Sequence, residues 1–336
     1  MMILTDKRYY SQIANAIRQQ LLDDKTYKPS QMASAIMSIK GFVDHIAIGG
    51  VLSGPIAGNA SFIKASAFAN ESLITEAHFS QCSAIYDGAF MGCTSLREIS
   101  FPMVSGMIGY SAFRSCTSLE SAAFPHVSGI GYEAFLRCLR LSSFDGPSVT
   151  GIWDYAFRGC HSLVSVNVPL CEWVEMGAFQ ECIALDSVSM PLCSNAWSYA
   201  FDACYALSDV YLPQCLYVGG LCFNDCSALA TISLPLCGEI AISGFADCVS
   251  LAEANIPMCS ILGQNAFTGC SALVSVYLTG VSSVPLIYED TFSGTPIIGY
   301  QGYVGEAGHV FVPSSLYQRF VTASLWSNIS SAIVGV

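Results

Sequence analysis

Charge is scarce in this chain of 336 residues: Asp, Glu, Lys and Arg make up 11%, against about 25% in an ordinary soluble protein. Basic charge is scarcer still. Lys and Arg number 13 against 25 acids, a net charge of −12, and between Arg158 and Arg319 there are 13 acids and no Lys or Arg. Phosphate backbones and anionic lipid both need cations to neutralise them, so the main body is excluded as a nucleic-acid binder. Long apolar runs are missing too. Although 53% of residues are hydrophobic, no uninterrupted stretch approaches the roughly 18 residues of a membrane helix, and no membrane insertion is expected. The opening MMILTDKRYYSQ lacks an apolar h-region and a small-residue cleavage site, and no lipidation motif is evident. The expectation is synthesis in the cytoplasm without a signal peptide. Walker A, G-x-G-x-x-G, H-E-x-x-H and G-x-S-x-G patterns are all absent, so no common nucleotide, metal or hydrolase signature is present.

What the chain does have is a repeat. Phe recurs at Phe68, Phe90, Phe113, Phe135, Phe157, Phe179, Phe201, Phe223, Phe245, Phe267 and Phe292. The numbering advances by 22 at almost every step, with one step of 23 and a last one of 25. Counting from each Phe, Ala usually precedes it, Cys follows at +3 and Leu at +6. Apolar residues stand at +9 and +11, Pro at +12, a small apolar residue at +14 and another apolar residue at +17. One unit reads AFQECIALDSVSMPLCSNAWSY, from Ala178 to Tyr199.

The stretch from Leu(+6) to +11 alternates apolar and polar, which predicts a short strand with two outward side chains at +8 and +10. Pro at +12 has no N–H to continue a ladder and ends the strand. The Ala-Phe-x-x-Cys segment turns the chain back with Phe inside. A single unit cannot bury its own apolar face, so the units stack as a solenoid, each covering the next. With strands about 4.8 Å apart, some ten coils make a rod or arc on the order of 50 Å long.

The A-F-x-x-C-x-x-L-x-x-V-x-L-P-x-C-x-x-V unit, over about residues 67–295, resembles the BspA-type leucine-rich repeat of bacterial and protozoan surface proteins and phage tail proteins. The resemblance implies a β-rich α/β architecture: a right-handed leucine-rich-repeat solenoid of 22-residue coils. It also implies recognition or adhesion, without catalytic residues to transfer. Residues 296–336 look like a closing cap, with VPSSLYQRF reading as a strand, an N-cap at Ser314 and a short helix whose Leu316, Phe320 and Val321 cover the last coil. The stretch LTDKRYYSQIANAIRQQLLDDKTYKPSQMASAIMSI is similar to a helical leader of tail and fibre proteins in phages and prophages of gut Firmicutes.

That leader reads as two short amphipathic helices in a module over residues 1–41. Asp6 caps the first, with Tyr9, Ile13, Ile17 and Leu21 on one stripe, and Ser30 caps the second. Helices this short need a partner: a second copy in a homo-oligomer, the first coil, or a larger assembly such as a virion tail to which they anchor the chain. The Gly-rich residues 42–66 read as a linker or a degenerate first coil.

From Cys160 to Cys270 a cysteine falls every 11 residues, which a 22-residue coil separates into one ladder at +3 and one at +14. Parallel side chains on neighbouring coils do not suit disulfide torsion, and no paired C-x₂-C or clustered His supplies a metal set. Val replaces Cys at +14 in Val104, Val127, Val149 and Val281, as a packing slot would allow. The expectation is reduced, buried, structural thiols. His45, His78, His126, His161 and His309 occupy unrelated repeat phases, and the carboxylates are scattered. Neither an enzyme nor a cofactor is expected.

The surface remains as the place for function. The outward strand positions are mostly small and polar, with Asp209, Tyr211, Glu253, Asn255 and Tyr277 as the larger groups. A second set follows the apolar turn: Trp153, Tyr155, Trp173, Trp197, Tyr199 and Tyr217. These aromatics either form an exposed contact strip or plug the solenoid edge. The expected function is non-catalytic recognition of a host cell-surface protein or glycan, as a phage or prophage tail-fibre component. A bacterial surface adhesin and a purely structural scaffold are the alternatives.

Overall fold

A computed structural model describes residues 53–298 and 307–336. The helical module expected over residues 1–41 lies outside the described residues. The chain winds into a leucine-rich-repeat β-solenoid of about 12 turns with little helix. Each typical coil contributes two strands. The first covers +8 to +10, as in Ser187–Ser189 and Asp209–Tyr211. The second is a two-residue strand at +16 and +17, as in Trp173–Val174 and Tyr217–Val218. Equivalent strands pair in parallel, one coil apart. Ser187 stands against Asp209 on one face, and Trp173 against Asn195 on the other.

The first face is broken into hydrogen-bonded groups of three, three, two and five strands, whereas the second is one continuous eight-stranded sheet. Ser53–Ala57 pairs in parallel with Leu73–His78, and Ile63 bridges to Ile85, so residues 53–66 take part in coil stacking.

The core explains the register. The eleven Phe rings form an unbroken stack along the solenoid, with neighbouring centroids 5.0–5.8 Å apart and planes within 16° of parallel. A second stack, of Phe79, Phe101 and Phe124 at +11, lies beside it over the first coils. At the next coil the +11 residue is Gly146, and Phe144 at +9 supplies the ring. A Cβ on Gly146 would sit 2.6 Å from that ring. Close packing tolerates such an exchange because total volume is preserved.

The Phe turn has a backbone requirement that the sequence reading did not extract. From Phe68 to Phe267, the positions two before and two after each Phe adopt positive φ, as at Tyr199 (61°) and Ala203 (58°) around Phe201. Glycine stands at some of these positions, including Gly88, Gly92 and Gly159, and that in-phase glycine was the available signal. A side chain there costs about 1–2 kcal/mol. Ala203→Gly is therefore expected to raise stability by about 0.5–1 kcal/mol after the unfolded-state entropy is discounted. A denaturant midpoint shifted downwards would contradict this.

At the C-terminal end the strands His309–Val312 and Ile333–Gly335 extend the first face in parallel. The only α-helix among the described residues is Tyr317–Thr322. Leu316 and Phe320 are buried and Val321 half-buried. Ser314 is not the N-cap expected of it. It opens a 3₁₀ turn, Ser314–Leu316, that precedes the helix, and neither element has a side-chain cap. Pro313 fixes the entry instead, and Trp326 seats itself with its indole N–H donating to Pro285 O at 2.8 Å.

Candidate functional site

The expected site residues divide between the two faces of the solenoid. Asp209 and Tyr211 flank buried Val210 on one strand of the first face, and Glu253 and Asn255 flank buried Ala254 two coils further on. Asp209, Tyr211 and Glu253 are exposed, while Asn255 is half-buried and donates its amide to Ser233 Oγ at 3.1 Å. Tyr277 is half-buried, its ring stacked on Phe311 at 4.7 Å. Phe311 lies beyond the last repeat, so periodicity did not point to it. This face carries hydroxyls and isolated acids.

The aromatic set lies along the continuous second sheet and the turn after it. Outward positions on two-residue strands hold Trp173 and Tyr217, and Trp153 and Trp197 follow one residue beyond their strands. Trp153 and Trp173 meet edge to face with centroids 5.9 Å apart, and Trp197 meets Tyr217 at 5.5 Å. Trp197 and Tyr199 are exposed, whereas Trp153, Tyr155, Trp173 and Tyr217 are half-buried. None of the six is in the core.

Local sequence makes room for these rings. Trp153 lies against Gly129 and Trp173 against Gly151, where an added Cβ would fall 2.5 and 2.3 Å from the indole atoms. Glycine in the preceding coil thus lets each indole approach the backbone while the ring as a whole stays half-exposed. Two further rings were missed: Tyr110, Tyr132 and Tyr155 form a row on consecutive coils, with centroids 6.4 and 6.2 Å apart. Tyr110 and Tyr132 stand one repeat apart in the sequence, and that spacing was the signal. The Arg158 guanidinium lies 5.6 Å from the centre of the Tyr155 ring.

The cysteines do different work. All 16 are free and buried. Each +3 thiol donates to the carbonyl of the Phe in the preceding coil, as Cys204 does to Phe179 O at 3.2 Å. The +14 thiols donate to a carbonyl two residues on, as Cys215 does to Tyr217 O at 3.3 Å. Burial pushes Cys193 and Cys215 up to about 12, which keeps the nucleophilic thiolate form away. Thiol titration in denaturant without reductant is expected to return 16 free groups, and a count several lower would overturn this assignment. Among the described residues, no three His, Cys, Asp or Glu side chains converge as a metal set.

The repeat register now has an external measure, because the family of BspA type leucine-rich repeat regions matches residues 61–186, 128–252 and 197–300. The chain belongs to this family. BspA-type solenoids are generally non-enzymatic interaction scaffolds, and the proteins that carry them are often surface adhesins. Among solved structures, the chain is similar to a leucine-rich repeat protein from Bacteroides ovatus, at 22% identity over 84% of this chain and 87% of that one, with a TM-score of 0.47. A leucine-rich cell surface protein from Faecalibacterium prausnitzii is 22% identical over 78% and 77%, with a TM-score of 0.45. A leucine-rich repeat protein from Eubacterium ventriosum is 16% identical over 75% and 85%, with a TM-score of 0.42. No curated protein sequence matches the chain.

Proposed function

We propose that this BspA-type solenoid is a non-catalytic adhesion protein that recognises a host-surface protein or glycan through the second-sheet aromatics. The observation that carries the reading is the row of large rings on neighbouring coils, two of them bedded on glycine in the coil before. Rigid rings held this way contribute contact area at small entropic cost, and their accessible faces suit a sugar ring or an apolar side chain. The acidic character of the chain, with net charge −12 overall, supports a partner that is neither nucleic acid nor anionic membrane.

Two display sites fit an adhesin of this kind. The resemblance of the N-terminal stretch to a tail-fibre leader supports a phage or prophage tail, with residues 1–41 as its anchor. The family's frequent role at bacterial surfaces supports the cell envelope equally. The test is whole-cell binding of labelled full-length protein across gut Firmicutes, beside its Trp197→Ala variant. The expected result is saturable binding to a few strains. The variant should weaken it about tenfold or more, since an aromatic anchor carries about 2 kcal/mol, with an unchanged melting temperature. Absence of saturable binding would favour the structural scaffold instead.

A further inference from the structure

The edge formed by the two residues after each Phe is sorted by charge along the solenoid. Its register is constant from coil to coil: the N–H of the +2 residue donates to the +1 carbonyl of the next coil, as Arg137 does to Arg158 O at 2.8 Å and Asp225 to Ala246 O at 2.9 Å. Towards the N-terminus this edge carries Arg114, Arg137 and Arg158, at the central Phe179 coil Glu181, which is ion-paired with Arg158, and towards the C-terminus Asp202, Asp225 and Asp247. Counted from the Phe179 coil, Arg158 and Asp202 stand one coil away on opposite sides. Arg137 and Asp225 stand two away, and Arg114 and Asp247 three. Arg137 and Asp225 share the same +2 position and nearly the same φ, 58° and 60°. Arg158 and Asp202 share +1.

We infer that this edge pairs with the same edge of a second copy, antiparallel about a two-fold axis through the Phe179 coil, with Arg137 facing the partner's Asp225 and Arg158 the partner's Asp202. A two-fold rotation about a line crossing the edge reverses coil order and keeps each position facing its own kind, +1 to +1 and +2 to +2. Arg137 and Arg158 then each meet an acid, Arg114 at +1 lies diagonal to the partner's Asp247 at +2, and Glu181 meets its own copy on the axis with its charge offset by Arg158 of the same chain. A parallel, in-register pairing would set Arg against Arg and acid against acid, so the pattern selects one orientation.

The edge spans about 30 Å at the ordinary strand spacing. Alongside it, four residues after Phe, stand the exposed apolar side chains Leu139, Ile183, Tyr205 and Val249, with His161 and Ser227 on the coils between. Ile183 belongs to the central coil and meets its own copy on the axis.

Existing contacts leave the acidic half uncancelled, since Asp202 accepts only from the neutral amides of Gln180 and Asn224, each at 2.8 Å. Arg114 and Arg158 pair within the chain with Glu133 and Glu181, yet their side chains remain 44% and 41% exposed. Arg137 is exposed and has no ion pair among the described residues. On the acidic half, burial holds the Asp225 carboxyl above the usual range, and the charges of Asp247 and Asp202 push it further. A facing guanidinium relieves that crowding.

The test is sedimentation equilibrium of the full chain. A dimer is expected at low ionic strength, weakened at about 1 M salt, where the Debye length falls to about 3 Å. Arg137→Glu replaces two attractive contacts per dimer with two repulsive ones and is expected to raise the dissociation constant roughly 100-fold. Asp225→Arg should do the same. The two substitutions combined in one chain restore opposite charges at both contacts, so affinity should return to near that of the parent. Circular dichroism melts of Arg137→Glu should match the parent, since Arg137 is exposed, and the two variants at half-buried Asp225 should melt together, so that their difference in affinity reports the contact. A monomer at all concentrations would overturn the inference. So would a dimer indifferent to either single variant, as self-association through residues 1–41 would be, or a combined variant as weak as the singles.

Discussion

Leu185→Asp is expected to destroy the folding of several neighbouring coils together. Leu185 sits at +6 of its coil with no exposed surface, and its N–H donates to Cys182 O at 3.0 Å. An aspartate there places a carboxylate in an apolar interior with no compensating partner, at a cost of several kcal/mol. In a repeat array each coil is held only by its neighbours, so the loss propagates along the axis until intact coils can close the damage. Hydrogen exchange should lose protection over the coils on either side of residue 185, and the thermal transition should broaden or split. A cooperative melt at the parent temperature would refute this account of the core.

Phe179→Ala is the second large effect, and it separates ring stacking from hydrophobicity in general. Phe179 is fully buried and stacks on Phe157 at 5.2 Å and Phe201 at 5.4 Å, with planes 4° and 3° from parallel. Truncation opens a cavity between two rings whose positions are set by backbone bonds, among them Phe179 N–H to Ala200 O at 2.8 Å. Neighbouring coils cannot collapse into that cavity without breaking register. The expected cost is about 3–5 kcal/mol in denaturant unfolding. Phe179→Leu, which keeps most of the volume, should cost less than half as much. A loss below about 1 kcal/mol for alanine would mean that the Phe stack is a consequence of coil stacking and contributes little to it.

Both effects fall on residues that periodicity alone singled out, because burial in a solenoid is a property of phase. Phe at 0, and Cys at +3 and Leu at +6 from the Phe90 coil to the Phe267 coil, face inward for one reason: the same backbone path recurs with each repeat. Cysteine suits +3 because its thiol is small, apolar and still able to donate to the Phe carbonyl of the coil before. At +14 the thiol finds its acceptor only two residues along its own coil, and valine substitutes there. The outward positions +8 and +10 were likewise legible, as the polar members of an alternating strand.

The candidate contact surface was legible only in part. The sequence identified Trp153, Trp173, Trp197 and Tyr217 as a set, since they recur near the same phase. It did not reveal that a continuous second sheet carries them. A two-residue strand leaves no alternation to detect, and only pairing with the next coil makes it a strand. Nor did composition show that Gly129 and Gly151 are the beds of two indoles, since the contact joins residues about one coil apart in sequence.

The sequence by itself determined the repeat length, the family resemblance, the inward positions and the lopsided charge. Each of these is a property of residue type against a fixed period, and stacking identical coils adds no ambiguity to it. Tertiary structure alone decided three things: the positive-φ residues flanking the stacked Phe rings, the exchange of ring for glycine at Phe144 and Gly146, and the seating of the Trp153 and Trp173 indoles against Gly129 and Gly151. Those depend on how close one coil's backbone approaches the next, a distance set by hydrogen bonds between coils and by the volume left between them.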